Sequence, residues 1–303
     1  MWEYVHMHNP LSAAARANRA MIEQYGRSDL TFYPYLIMRI VSWVLLVYML
    51  IKGEFSHAGQ AAAALVLFCV PPFFERKAQA DLPKVFLFII LCFIFSFLIL
   101  REIFEFMGRI FWWDTMLHTS YGFIFAAFSF SLLEVFNKDT ELKFRCSKVY
   151  VILTTMSITM FFGTLWEFAE YAADQLFGLD MQKDRLVDHF QSTFLDETHM
   201  NVPIPVKDIE STVINLADGS KIVLDGYLDI GIWDTMKDHF VAFAGAAVFC
   251  IFLVAYLKTK GNNKLAATLV PVRHDWTAEP PVVRAALAKK LLRTEKTTED
   301  KEA

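Results

Sequence analysis

Six stretches of this chain stay apolar over lengths close to what a bilayer demands, at about 33–52, 57–74, 82–101, 113–136, 148–176 and 233–257. A helix needs about 20 predominantly apolar residues to cross the hydrocarbon, where no water can satisfy backbone N–H and C=O groups. The third stretch is the clearest, since VFLFIILCFIFSFLIL from Val85 to Leu100 carries no charge. The second is the weakest, being short and ending at Pro71 and Pro72. Between the third and fourth lies REIFEFMGRIFWW, a mixture of aromatic and charged residues that suits an interfacial segment. The pattern predicts an all-α, polytopic membrane helix bundle of about six transmembrane helices. Residues 1–32 form an N-terminal segment, 33–257 the transmembrane domain and 258–303 a basic tail.

Polar stretches refine this. In the 179–232 loop, STVINL and SKIVLD flank Ala217, Asp218 and Gly219, and an Asp-Gly pair between β-branched runs predicts a small β-hairpin. The final stretch, PPVVRAALAKKLLRTEKTTEDKEA, predicts a short basic amphipathic helix followed by a charged, disordered end. No internal repeat is present.

Composition agrees with the pattern. With 55% hydrophobic residues, 29 Phe and 20% charged residues, the chain is not an ordinary soluble domain, and its solvent is lipid. The net charge of −4 argues against nucleic acid as a partner. Cys69, Cys92, Cys146 and Cys250 show no CxxC spacing, and three of them fall in apolar runs, so they read as packing residues. The opening MWEYVHMHNP lacks the features of a signal peptide, so no removal is expected and the first helix doubles as the targeting signal.

The distribution of charge sets an orientation, because cytoplasmic loops keep an excess of Lys and Arg. Arg16, Arg19 and Arg27 precede the first helix; Arg76, Lys77 and Lys84 follow the second; Lys138, Lys143, Arg145 and Lys148 follow the fourth; Lys258, Lys260 and Lys264 follow the sixth. These segments, and both termini, are expected in the cytoplasm of a bacterium, with the protein in its plasma (inner) membrane. The 179–232 loop holds ten Asp or Glu against four Lys or Arg, a net of −6, and is expected outside.

Ionisable residues gather at the outer helix ends. The fourth helix opens with WWDTMLHTSYG, placing Asp114 and His118 one turn apart on one face. The fifth closes with LWEFAEYAAD, which aligns Glu167, Glu170 and Asp174 on one stripe. The sixth opens with WDTMKDH, where Asp234 and Asp238 repeat the spacing of four while His239 points about 100° away. The up-and-down topology brings these three ends to one depth. An ionised carboxylate there costs several kcal/mol unless paired, hydrated or coordinated. Nearby cations are few, chiefly Lys237, with Arg101 and Arg109 at the preceding interface, so a divalent metal ion is the expected complement. Mixed carboxylate and imidazole ligands suit zinc, manganese or iron, or magnesium with the histidine outside its shell.

Plainer roles exist for several of these residues. Asp114 and Asp234 could complement the helix dipole, and Trp112, Trp113, Trp166 and Trp233 read as an interfacial belt. Asp174 sits near water, Glu102 and Glu105 suit an interface, and His189 and His199 read as surface residues. For His118, Glu167, Glu170 and Asp238, one to three turns inside, a solvated helix end explains less.

Around these residues the chain resembles the YjdF-like family of uncharacterised bacterial multi-pass inner-membrane proteins. The resemblance rests on Trp113, Asp114, Leu117, His118 and Gly122, on Trp166 and Glu167, and on Asp234, Thr235 and Asp238, within roughly Leu65 to Leu257. It implies a multi-helix membrane fold and no particular activity; the long acidic loop departs from the family pattern. The residues themselves lead to hydrolysis or group transfer on a lipid-linked or amphipathic substrate, with partners limited to the bilayer and that lipid-like substrate. In this reading His118, Glu167 and Asp238 ligate the metal, Asp114 supports the histidine, and Glu170 or Asp234 is the general base. Two alternatives stand beside it. One is a transporter for a metal ion or proton-coupled solute, for which Thr154, Thr155, Ser157 and Thr159 offer a hydroxyl-lined path. The other is a non-enzymatic envelope binding or assembly protein acting through the acidic loop.

Overall fold

In a computed structural model of the protein, residues 18, 21–22, 25–26, 28–78, 80–139 and 147–273 are described. The amphipathic tail expected beyond residue 280, Cys146, and the basic residues Arg16, Arg19, Arg27, Lys143 and Arg145 lie outside them.

Six helical segments are long and apolar enough to cross a membrane: Asp29–Lys52, Phe55–Glu75, Lys84–Ile103, Trp113–Glu134, Lys148–Phe177 and Ile232–Thr259. The first is α1, Asp29–Lys52, closed by Gly53 in the left-handed region at φ 78°. The second is built from α2, Phe55–Leu67, and α3, Val70–Ala78, and so runs on past the prolines that had been expected to end it. The reason is positional: Pro71 and Pro72 lie in the first turn of α3, where backbone N–H groups have no intrahelical acceptor to lose.

The third span begins as α4, Lys84–Phe95, and continues as a π-helical stretch over Ser96–Ile103, ended by Glu105 at φ 56°. A short α5, Phe106–Arg109, leads into α6, Trp113–Asp139. Next comes α7, Lys148–Phe177, started by Ser147, whose hydroxyl accepts from the Tyr150 amide, and closed by Gly178 at φ 63°. Finally α8, Ile232–Thr259, is followed by α9, Lys264–Ala267.

Helix α8 packs along both α6 and α7. Its contact with α6 runs through two glycines: a Cβ on Gly122 would overlap the carbonyl of Ala242, and one on Gly245 that of Thr119. In lipid, where no hydrophobic force presses helices together, backbone contact through small residues supplies the packing energy. Below it lies an apolar core that includes Ile124, Phe130, Phe249 and Leu253.

The loop between α7 and α8 folds into three antiparallel pairs. Strands β2, Arg185–Val187, and β7, Tyr227–Asp229, close its base, with Leu186 opposite Leu228. Within them β3, Phe190–Ser192, pairs with β4, Ile204–Val206, and β5, Thr212–Asn215, pairs with β6, Lys221–Leu224. The last pair is the expected hairpin, turned by Leu216 to Gly219 with Gly219 at φ 87°. At the opposite end of the bundle β1, Ala80–Asp81, pairs with β8, Val272–Arg273.

Asp196 organises the 196–202 turn. It is buried, and its carboxylate accepts from Thr198 Oγ1 at 2.6 Å and from the amides of Thr198, Met200 and Val202 at 3.0 Å each. The Thr198 hydroxyl first, with the amides, holds its pKa below the ordinary value. A depressed carboxylate pKa contributes stability that is present above the unfolded-state value of about 3.9 and lost as pH falls through the folded one. Protection factors of the Met200 and Val202 amides should therefore stay constant above about pH 5 and fall on further acidification, while Asp196→Asn should lose them at neutral pH. Protection in the wild type that is flat down to pH 2 would count against this account.

Candidate functional site

The ends of α6, α7 and α8 meet as topology required, and the close α6–α8 contact decides which side chains touch. Asp114 and His118 point from α6 at Lys237 and Asp238 of α8. His118 Nε2 lies 3.6 Å from Asp114 Oδ1 and 3.2 Å from Asp238 Oδ2. Lys237 Nζ stands 2.7 Å from Asp114 Oδ2, 3.1 Å from Asp234 Oδ1 and 3.4 Å from Asp238 Oδ1. The Asp238 side chain is 2% exposed and His118's is 11%, so the cluster is shielded, whereas Lys237 at 32% forms its rim.

One ligand-type atom from each of Asp114, His118 and Asp238 lies within 4.8 Å of the other two. Ligands at about 2.0–2.6 Å from a common ion are separated by no more than roughly twice that distance, so the three side chains fit a single cation. Asp238 Oδ1 completes no hydrogen bond among the described residues, since the nearest cation, Lys237, is at the long end of ion-pair range. A buried carboxylate oxygen left in that state has acceptor capacity that the described residues do not fill.

The other candidates occupy different places. Glu167 falls outside this group and lines a cleft between α7 and α8 of about 460 Å³, together with Thr164, Phe168, Gln182, Met236 and His239. Thr235 and Gln182 approach its carboxyl group, yet buried Oε2 has no hydrogen-bond partner among the described residues. Glu170, also buried, accepts from Trp166 Nε1 at 2.8 Å. Asp234 is held twice, by Lys237 and, at 3.0 Å, by the amide of Lys183. Asp174 accepts from the amides of Met181 and Gln182 at 2.6 and 2.9 Å. Asp174 and Asp234 thus strap residues 181–183 across the ends of α7 and α8. Gly231, at φ 101° and hard against Gln182, turns the chain back into α8 beneath that strap.

Trp113 and Arg101 depart from their sequence-based placement, while His239 points away from the Asp234 and Asp238 face as expected. Trp113 is buried edge-on against Phe106 at 4.9 Å, unlike the exposed Trp112, Trp166 and Trp233 of the expected belt. His239 faces the cleft, with Nε2 3.2 Å from Thr164 Oγ1 and Nδ1 3.0 Å from the Thr235 carbonyl. Arg101, expected at an interface, is 7% exposed on the π-helical stretch, with Nε 3.1 Å from Glu102, and its charge acts on both His118 and Glu170. A widened helical turn that carries a buried cation to a polar site leaves no signature in a uniformly apolar run.

No curated protein and no solved structure matches the chain. One family match spans residues 34–259 and so covers all but the first few residues of the bundle. That region contains five of the six spans whole and most of the first, the folded loop and every residue of the site. The chain belongs to the family described as "Predicted membrane protein (DUF2238)".

Proposed function

We propose that Asp114, His118 and Asp238 hold a divalent metal ion at the extracytoplasmic face of a bacterial inner membrane, and that the site hydrolyses or transfers a group on a lipid-linked or amphipathic substrate. The observation that carries the reading is the shielded Asp114, His118 and Asp238 group, three ligands from two helices within reach of one cation. Two carboxylates and an imidazole suit zinc, manganese or iron better than magnesium. Such an ion supplies Lewis acidity and lowers the pKa of water. The orientation rests on the acidic loop and the basic segments at the opposite helix ends.

The surrounding residues divide the remaining work. Lys237 bridges Asp114, Asp234 and Asp238, balances part of their charge and fixes the ligand carboxylates. Asp234 has both oxygens engaged, one by Lys237 and one by the Lys183 amide, which suits it to holding the strap. Glu170 keeps one oxygen clear of Trp166 and is the better general base. Glu167, away from the ligand group, belongs to the substrate cleft.

Transport would need polar groups continuing across the bilayer. Below His239, α8 carries no charged residue until Lys258. The buried hydroxyls of Ser129 and Thr159 donate to carbonyls of their own helices, whereas buried Thr155 Oγ1 has no hydrogen-bond partner among the described residues.

The test is turnover of amphipathic esters and phosphodiesters by purified protein. Glu170→Gln should keep its metal content and fold while losing about two to four decades in rate, the usual contribution of a general base. Metal-driven ion flux into proteoliposomes, with no product from any substrate, would replace the enzyme reading by transport.

A further inference from the structure

The cleft between α7 and α8 is separate from the Asp114, His118 and Asp238 group, and its chemistry is unusual for a bilayer-facing groove. Its walls are Phe168, Tyr171 and Met236, each more than half exposed along the outside of the bundle, and its floor is Glu167. A volume of about 460 Å³ falls among small-molecule sites, which are mostly apolar with a few placed polar groups. Glu167 is 6% exposed and its Oε2 has no hydrogen-bond partner among the described residues, an arrangement costly in free energy unless a ligand completes it.

The charges around the floor indicate what that ligand carries. Lys237 pairs with Asp114, Asp234 and Asp238, while Arg101 is paired with Glu102 and Lys183 Nζ with Asp180. Glu167 and Glu170, one turn apart on α7, make no ion pair among the described residues, and the charges that reach them are His239 across the cleft and Arg101, itself paired with Glu102. A ligand head that donates hydrogen bonds and carries positive charge satisfies both deficits, and the rings of Phe168 and Tyr171 add cation–π attraction at the mouth. The opening lies between exposed apolar side chains of two membrane-spanning helices, which suits a hydrocarbon chain as the rest of the ligand.

We infer that the α7–α8 cleft is a subsite for an amphiphile with a primary ammonium head, the ammonium on Glu167 and the chain leaving past Phe168 and Met236 into the bilayer. This rests on the proposed metal-dependent reading and names the substrate class: an amine-bearing lipid.

The experiment titrates purified protein in non-ionic detergent with dodecylamine and with dodecanol, followed by tryptophan fluorescence, Trp166 lying one residue from Glu167. Charge-assisted hydrogen bonds should favour the amine by about tenfold or more in the wild type. In Glu167→Gln that preference should collapse towards parity with dodecanol binding retained, and Met236→Trp, which fills the cleft, should abolish binding of both. Equal binding of the two probes by the wild type, a preference that survives Glu167→Gln, or amine binding that survives Met236→Trp would each overturn the subsite. Metal content measured on the same samples separates the two proposals: a metal-free wild type sinks the enzyme reading, whereas full metal with no amine preference sinks this one.

Discussion

Asp238→Asn should empty the metal site, lowering affinity by more than the roughly 10- to 100-fold that loss of a supporting outer residue costs. Of the three proposed ligands Asp238 is the most deeply buried, at 2% side-chain exposure, and it is the one from α8, 3.2 Å from His118 Nε2. The amide keeps the shape and removes the charge. Because binding energy at such a site is also folding energy, the variant should unfold at the same temperature with and without added zinc, while the wild type is stabilised by it. Lys237→Met separates this from a plain ion-pair cluster. Removing the ammonium leaves Asp114, Asp234 and Asp238 facing one another, so the metal-free protein should lose stability. If a metal belongs there, added zinc should restore Lys237→Met and bind it more tightly than the wild type, since a competing cation is gone. If the cluster is only a salt-bridge network, no metal should restore it, and elemental analysis of the wild type should find nothing bound.

Gly122→Ala should be as damaging, from one turn below His118. The added methyl would overlap the carbonyl oxygen of Ala242, and a backbone atom cannot rotate out of the way as a side chain would. Overpacking typically costs about 1–3 kcal/mol, and a helix-on-helix backbone clash belongs at the upper end of that range. The damage should reach the site as well. Asp114, His118 and Gly122 share one face of α6 at successive spacings of four, and the facing residues of α8 are Asp238, Ala242 and Gly245. Forcing these helices apart by about 1 Å widens the ligand triangle beyond the roughly 0.5 Å tolerance of a functional constellation. Metal affinity and melting temperature should therefore fall together in Gly122→Ala. Gly59→Ala is the control, because a methyl there meets nothing within 4 Å and raises helix propensity. Weakened metal binding in Gly59→Ala, or full affinity in Gly122→Ala, would break the link between the glycine contact and the site.

Much of this was legible along the chain. Length and apolarity alone establish the six spans, because the bilayer imposes a minimum helix length and tolerates no unsatisfied backbone. The Asp-Gly turn between β-branched runs establishes the β5–β6 hairpin, since its pairing is local. The β2–β7 and β3–β4 pairs escaped because strands of three residues, one of them containing Pro205, carry no alternation, and their partners lie far away in sequence. Spacing along single helices likewise put Asp114 with His118, Glu167 with Glu170, and Asp234 with Asp238, because a period of 3.6 residues is a property of the helix itself.

Which of these faces meet is settled between helices, and periodicity is silent on it. The sequence admitted His118, Glu167 and Asp238 as partners at one depth; the glycine contact of α6 with α8 groups Asp114, His118 and Asp238 and leaves Glu167 to a separate cleft. The rotation of α7 about its axis, the π-helical stretch that brings Arg101 inward, and the strap that engages Asp174 and Asp234 depend on packing and on backbone geometry that side-chain periodicity does not encode. Local periodicity therefore determined what each helix offers, and tertiary packing decided which offers are combined.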